Sequence, residues 1–428
     1  MTESFLHYVW QYQYFDRSDL RTTDGEPVSV FVPGIKNSDA GPDFFNARIR
    51  IGAVSWIGNV EIHIFSSGWT AHKHDLDDAY ENVILHVVWK EDKKIKRKDD
   101  SGLPTIELKN RVDNVLLLQY RQLVNHPGSI PCARFFSDVK WITKVSMLEK
   151  ALVQRLQTKA NQVLQMFERN KHDWEETAYQ LLSRNFGFKV NSEPFQQLAQ
   201  ALPYKTLMKH ADKIVQVEAL LFGQAGFLES TTGDDYFAVL KREYSLLSKK
   251  YGLELKRLHK TQWKFLRLRP ANFPSLRLAQ LASLLHQQQS IFSRIVEASS
   301  YQSFLRIFGV TQSEYWQTHY QFSKPMPEPV PALGETSINN IIINTAVPLL
   351  AGYGKYRDDQ LFIDRAVEIL QNTVSETNSI VTSWKELGFD SRSAGDSQSL
   401  IELYNNYCLR RRCLDCNIGF SIIRPLTV

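Results

Sequence analysis

Two acids and a histidine at strand-like spacing are the first residues whose types suggest chemistry. Asp43 opens a run of β-branched and aromatic residues, and Glu61 and His63 stand two positions apart in a later run. Because side chains alternate along a strand, Glu61 and His63 point to the same face. The short connection at residues 52–55 predicts an antiparallel hairpin. That hairpin brings Asp43 near Glu61.

Such a group suits a divalent cation. Carboxylates supply hard oxygen ligands for Mg²⁺ or Mn²⁺, and the bound ion lowers the pKa of a water so that it attacks a phosphodiester. We expect Asp43 and Glu61 to bind the metal, with the backbone carbonyl of Ile62 as a further ligand. His63 then positions the attacking water, which makes Asp43, Glu61 and His63 the expected catalytic residues.

These residues also carry a family resemblance. Pro42-Asp43, a hairpin and then Glu61-Ile62-His63 resemble the motif of the PD-(D/E)XK nuclease superfamily, in which an Asp and a Glu-x-Lys on adjacent strands hold Mg²⁺. His63 stands where that motif has Lys. The resemblance covers about the first 110 residues and implies a restriction-endonuclease-like core that cleaves DNA or RNA.

A literal Glu-x-Lys occurs elsewhere, at Glu107-Leu108-Lys109. More than one predicted strand separates it from Asp43, whereas the motif acids lie on adjacent strands. We therefore expect an ordinary amphipathic strand there. Lys109 stays a candidate to replace the missing Lys in space.

Histidine density is a second reason to examine this region. Of the 11 histidines in the chain, His63, His72, His74 and His86 fall within 24 residues. If His72, His74 or His86 meets Glu61 in one coordination sphere, the pattern indicates a His/carboxylate metallohydrolase of a small substrate. The alternative is that His86 is a hydrogen-bonded core residue and that His72 and His74 lie on a loop surface.

Four segments resemble an uncharacterised bacterial family, domain-of-unknown-function family 2851, along the whole chain. They are AGPDF at 40–44, GNVEIH at 58–63, WTAHKH at 69–74 and VILHVV at 83–88, together with the terminal cysteines. This resemblance implies no activity.

The chain has only four cysteines, Cys132, Cys408, Cys413 and Cys416. This count is too sparse for a disulfide framework and indicates a reducing compartment. The last three form a C-x₄-C-x₂-C pattern that predicts a zinc or iron–sulfur site, with Cys132 as its fourth ligand. The alternative is a set of small, buried, reduced thiols.

The net charge says little about binding partners, because 51 Lys and Arg are balanced by 46 Asp and Glu. Any surface that binds nucleic acid must therefore be a local cluster of basic residues. Basic residues interleaved with aromatics predict one at Lys264, Arg267, Arg269 and Arg277. The alternative is a solvated helix face.

The hydrophobic pattern predicts an α+β protein. Short strand-like runs dominate residues 1–140, the nuclease-like α/β domain, and helical periodicity dominates residues 141–428, a region that ends in the cysteine cluster. No signal peptide or membrane span is recognisable, so we expect a cytoplasmic protein.

The combined hypothesis is a metal-dependent nuclease or phosphodiesterase. The alternative to an enzyme is a non-catalytic nucleic-acid-binding or scaffold protein on a degenerate nuclease core.

Overall fold

The β-branched and aromatic runs of the N-terminal part form a mixed sheet. The computed structural model describes residues 2–37 and 39–424. The strands of the sheet are β1 (Val28–Val32), β2 (Ile35–Lys36), β3 (Phe44–Ile51), β4 (Val54–Phe65), β5 (Val83–Lys90) and β6 (Thr105–Glu107). Their order is β1-β3-β4-β5-β6, and β2 pairs with β3. The β1, β3 and β4 pairings are antiparallel, whereas β4, β5 and β6 run parallel.

Helices make up most of the remaining chain. They are α1 (Glu3–Gln11), α2 (Gly68–Ala71), α3 (Asn114–Val124), α4 (Trp141–Arg169), α5 (Trp174–Phe186), α6 (Ser192–Ala201), α7 (Tyr204–Met208), α8 (Ile214–Gln224), α9 (Asp235–Tyr251), α10 (Pro274–Gln287), α11 (Ile291–Glu297), α12 (Tyr301–Phe308), α13 (Glu335–Ile341), α14 (Val347–Arg357), α15 (Gln360–Asn372), α16 (Ser379–Glu386), α17 (Ala394–Glu402) and α18 (Asn417–Ile423). Two short strands, β7 (His319–Gln321) and β8 (Lys324–Pro325), pair with each other. This mixed α/β architecture, with an N-terminal sheet and a large helical region, confirms the predicted fold class. Among the described residues, no helix combines the length and apolarity needed to cross a membrane.

The chain divides into two compact units. One comprises the residues up to Leu148 together with those from Leu403 onward, and the other is Glu149–Glu402. This division differs from the predicted boundary at residue 140, because the cysteine-bearing end joins the sheet unit. Helix α18 packs against α3, and the Phe420 ring of α18 lies 4.8 Å from that of Tyr12. Such contacts between distant parts of the chain leave no local trace in the sequence.

Strand β4 lies in the middle of the sheet, and both of its faces are covered at its C-terminal half. Residues Val60, Glu61, Ile62 and His63 are all buried there. Helix α1 packs against this strand. The strand's end is fixed by Ser66, whose hydroxyl donates to Oδ1 of Asp92 at 2.9 Å. The chain then enters α2, which begins at Gly68.

The helical unit contains its own core. Its aromatic centre includes Phe222 and Trp316, whose rings stack 4.7 Å apart. Glu218 is fully buried beside them and accepts hydrogen bonds from the hydroxyl of Tyr236 and the indole N–H of Trp316. These donors compensate the desolvation of the buried acid.

Candidate metal centre

Three imidazoles and one carboxylate converge beside β4. Nε2 of His63 lies 3.2 Å from Nδ1 of His72 and 3.8 Å from Oε1 of Glu61. The same oxygen lies 3.2 Å from Nε2 of His74. Each of the three histidines offers a ligand atom within 4.8 Å of the others. Neighbouring ligand atoms of a tetrahedral zinc site, with Zn–N near 2.0–2.1 Å, are about 3.3 Å apart. The three histidines therefore lie close enough to share one ion, and Glu61 lies beside two of them.

The backbone after β4 brings the loop histidines back to the strand. His72 follows directly on α2, and His74 opens a short 3₁₀ turn. Between them Lys73 adopts a left-handed conformation with φ of 60°, which is uncommon for a residue other than glycine. This reversal lets both rings face Glu61 and His63. Neither an extended loop nor a helix has this geometry, so residue spacing alone does not predict the convergence.

His86 on the neighbouring strand supports His63. Nδ1 of His63 and Nε2 of His86 are 2.8 Å apart, and both side chains are buried. Burial lowers the pKa of each ring to about 3, so both are neutral near pH 7. When His63 donates from Nδ1, its Nε2 keeps a free lone pair beside His72. Metal-ligating histidines usually donate their other ring N–H to such a partner.

Aromatic rings hold His74 in place. Tyr80 stacks on His74 with centroids 3.8 Å apart, and the indole of Trp69 meets it edge-on at 5.5 Å. Nε2 of His74 is shielded from solvent, and no described group forms an aligned hydrogen bond with it. Its charged neighbour is Oε1 of Glu61, 3.2 Å away. An ion bound between this nitrogen and that oxygen would contact both groups.

Glu61 is almost fully buried, at 5% exposure. Burial raises the pKa of its carboxyl group, an effect that the nearby His74 opposes and the charge of Asp43 reinforces. Oε2 accepts a hydrogen bond of 3.1 Å from the backbone N–H of Asp43. This bond anchors one oxygen and leaves Oε1 facing the histidines.

Asp43 lies next to Glu61, but its carboxylate makes other contacts. Oδ2 accepts a 2.9 Å hydrogen bond from the backbone N–H of Ile62 and lies 3.2 Å from Nε2 of His7. These contacts fix the start of β3 against β4. Metal binding by the Asp43 and Glu61 pair stays a prediction. No motif or residue spacing in the sequence predicts that His7, on α1, lies beside Asp43.

Lys109 is the candidate to replace the missing motif Lys. Lys109 is exposed just beyond β6, and within the described chain its side chain forms no ion pair with Glu61. Its recruitment to the site also stays a prediction.

In the helical unit, three of the four predicted nucleic-acid contacts are exposed: Lys264, Arg267 and Arg269. Arg277 is buried instead. Its guanidinium bonds to Asn272 and Gln280 and lies 4.5 Å from the centroid of the Phe188 ring. In this conformation Arg277 holds protein segments together and does not face solvent.

All four cysteines are buried, and none forms a disulfide. They belong to the sheet unit together with the histidine cluster.

Gly68 gives a direct test of how tightly His63 is positioned. A Cβ atom at Gly68 would lie 2.7 Å from Cδ2 of His63, so Gly68→Ala should displace the ring. We expect zinc affinity to fall by about 10-fold or more, as for lost supporting contacts, and the free energy of unfolding to fall by about 1–3 kcal/mol. Competition with a chromogenic chelator and urea unfolding measure the two effects. Gly102→Ala is the matched control, because a Cβ atom at that position would have no neighbour within 4 Å; equal effects of the two substitutions would contradict the positioning.

Comparisons with known proteins identify the family but assign no activity. Neither the curated proteins nor the solved structures include a match, so the resemblance to PD-(D/E)XK nucleases is not confirmed. A family model described as a protein of unknown function, DUF2851, matches residues 3–379. That range contains the histidine cluster and Cys132 and ends before Cys408. Since the match spans most of the sequence, the chain belongs to the DUF2851 family.

Proposed function

We propose that this protein is a metal-dependent hydrolase whose ion is held by His63, His72 and His74 beside Glu61. The proposal depends on one observation, the convergence of three imidazole nitrogens within 4.8 Å of one another, with the Glu61 carboxylate beside two of them. Glu61 and His63 are buried, and a bound ion would offset the desolvation cost of burying them.

The ligand set favours a transition metal over Mg²⁺. Imidazole suits zinc and its neighbours, whereas Mg²⁺ prefers oxygen ligands and keeps several waters. A bound ion of this type lowers the pKa of a coordinated water towards 7 and so generates a nucleophile at neutral pH.

Exposure differs between the two sides of the group. His63 and Glu61 are buried, His74 is half-buried and His72 is exposed. The buried pair would anchor the ion, and the His72 side would admit water and substrate.

Glu61 is the residue placed to move a proton. Its Oε1 reaches the ligand nitrogens while Oε2 is fixed by the Asp43 amide. A carboxyl group whose pKa is raised by burial is better matched to proton transfer near neutral pH than an exposed one. We assign Glu61 to binding the ion and accepting a proton from water.

A phosphodiester of DNA or RNA is the substrate class that we favour. The support is the nuclease-like order of Asp43, hairpin and Glu61, and the exposed Lys264, Arg267 and Arg269 would receive phosphates. A second candidate is the two-carboxylate nuclease with Mg²⁺ or Mn²⁺ at Asp43 and Glu61. It is favoured by the adjacent positions of the two residues, since the Asp43 backbone N–H donates to Oε2 of Glu61.

The test is hydrolysis by the full-length chain after chelation and metal return. Wild type, His72→Gln and His259→Gln would be assayed on single- and double-stranded DNA and RNA, a generic phosphodiester and a carboxylic ester, each with Zn²⁺, Mn²⁺ or Mg²⁺. His259 is an exposed histidine of the helical unit and serves as the control.

We expect zinc- or manganese-dependent cleavage that His72→Gln lowers by about 100-fold or more and His259→Gln leaves unchanged. Mg²⁺-dependent cleavage that is insensitive to His72→Gln would favour the two-carboxylate nuclease. Absence of hydrolysis with every metal and substrate would favour the non-catalytic scaffold.

A further inference from the structure

We propose that Cys132, Cys408, Cys413 and Cys416 together bind an iron–sulfur cluster in the sheet unit. These are all the cysteines of the chain, and most of the sequence separates the first from the second. Every one of them is buried and free of disulfides. The inference is independent of the hydrolase site, since it uses none of the same residues.

Packing around α18 brings the two cysteine segments together. Phe135 and Val139, just after Cys132, line the same cavity as Asn417 and Phe420, just after Cys416. The backbone of Asn417 also contacts α4, where its N–H lies 3.3 Å from Sδ of Met147. Helix α18 is therefore packed against the segment that follows Cys132.

Arg411 joins the same two segments from within the cysteine loop. Its Nη2 donates a 2.8 Å hydrogen bond to the carbonyl of His126. Its Nη1 is shielded from solvent and has no hydrogen-bond partner among the described groups. A buried, unsatisfied guanidinium N–H close to Cys408 and Cys413 is suited to the negative charge of a thiolate-bound cluster.

The thiols influence one another electrostatically. Burial raises the pKa of Cys132 and of Cys408, and the neighbouring cysteines raise both further. Arg411 acts in the opposite direction on Cys408 and Cys413. Because Cys413 and Cys416 act on both Cys132 and Cys408, the four thiols lie near one another in the sheet unit.

The spread of the sulfur atoms favours a cluster over a single zinc ion. A tetrahedral zinc site with Zn–S near 2.3 Å holds its sulfurs about 3.8 Å apart. Among the described residues, no three of these cysteines bring their sulfurs within 4.8 Å of one another. An iron–sulfur cluster has several irons between its thiolates and so needs wider spacing. The C-x₄-C-x₂-C pattern with one distant Cys is also the ligand spacing of one class of [2Fe–2S] protein, although here the distant Cys precedes the other three.

The experiment is metal analysis of the full-length chain purified without oxygen, then reconstituted with ferrous iron and sulfide. Iron, acid-labile sulfide and zinc would be measured per chain, with visible absorption and the electron paramagnetic resonance of the reduced sample. Cys132→Ser and Cys413→Ser test the ligands. His72→Gln is the control, because it alters the hydrolase site alone.

We expect about two or about four irons per chain with equal sulfide, retained in His72→Gln and reduced at least severalfold in both cysteine variants. Zinc that is lost in Cys132→Ser but retained in His72→Gln, or full iron and sulfide content in Cys132→Ser, would overturn the proposal. If a cysteine variant fails to fold, wild type alone decides: a folded chain that takes up no iron and sulfide on reconstitution contradicts the cluster.

Discussion

His63→Ala is expected to lose zinc binding by more than about 100-fold, since removing only the partner that orients a ligating histidine costs about 10–100-fold. His63 is the residue on which the other groups converge. Its Nε2 faces His72 and Glu61, and its Nδ1 faces His86. Hydrolysis should fall with the metal, and isothermal titration with Zn²⁺ measures the affinity directly.

A graded series makes this result specific. His86→Ala should cost about 10–100-fold in affinity, as the loss of an orienting partner does. His72→Gln, at an exposed position, should weaken binding without affecting the fold. Circular dichroism checks the fold of His63→Ala, whose side chain is buried. Affinity that His63→Ala and His72→Gln both leave intact would rule out the histidine site.

Glu61→Gln and Asp43→Asn are expected to differ sharply in their effects on kcat. Glu61 presents Oε1 to the histidines, and loss of a positioned proton acceptor lowers the rate by about 10²–10⁴-fold. Asp43 instead accepts from the Ile62 N–H and contacts His7. An asparagine oxygen still accepts that bond, so Asp43→Asn should lower kcat by less than about 10-fold, because a side chain outside the reacting centre supplies little transition-state stabilisation.

This pair separates the two proposed mechanisms. If Asp43 and Glu61 jointly bind Mg²⁺, the two substitutions should abolish cleavage to a similar extent. Steady-state kinetics on the best substrate, with the zinc content of each variant measured in parallel, gives the comparison. Equal losses in Asp43→Asn and Glu61→Gln would support the two-carboxylate nuclease.

The alternation of residues along β4 predicts part of the candidate site. Glu61 and His63 share a face of that strand, and the β3–β4 hairpin brings Asp43 beside Glu61. Both features follow from the alternation of residues along a strand. That pattern is visible in the sequence without knowledge of the tertiary structure. The sheet and the following helices are predictable for the same reason.

The rest of the site depends on features that have no local signature. The left-handed conformation of Lys73 turns His72 and His74 towards Glu61, and the sequence contains no glycine there to suggest a turn. The orientation of the Asp43 carboxylate is decided by the Ile62 amide and by His7.

Tertiary packing likewise decides which basic residues face solvent and which cysteines lie close together. Arg277 carries the same charge as its exposed neighbours but is buried by the fold. In the sequence, the scarcity of cysteines is the signal that links Cys132 to the terminal three. In the fold, α18 packs against α3, and its Asn417 contacts Met147 of α4.

Zinc X-ray absorption of the full-length chain loaded with one equivalent of Zn²⁺ tests the central claim most directly. We predict a first shell of imidazole nitrogens and carboxylate oxygen at about 2.0–2.1 Å, and its loss in His63→Ala. A shell made only of sulfur at about 2.3 Å, or a chain that binds no zinc, would contradict the histidine site.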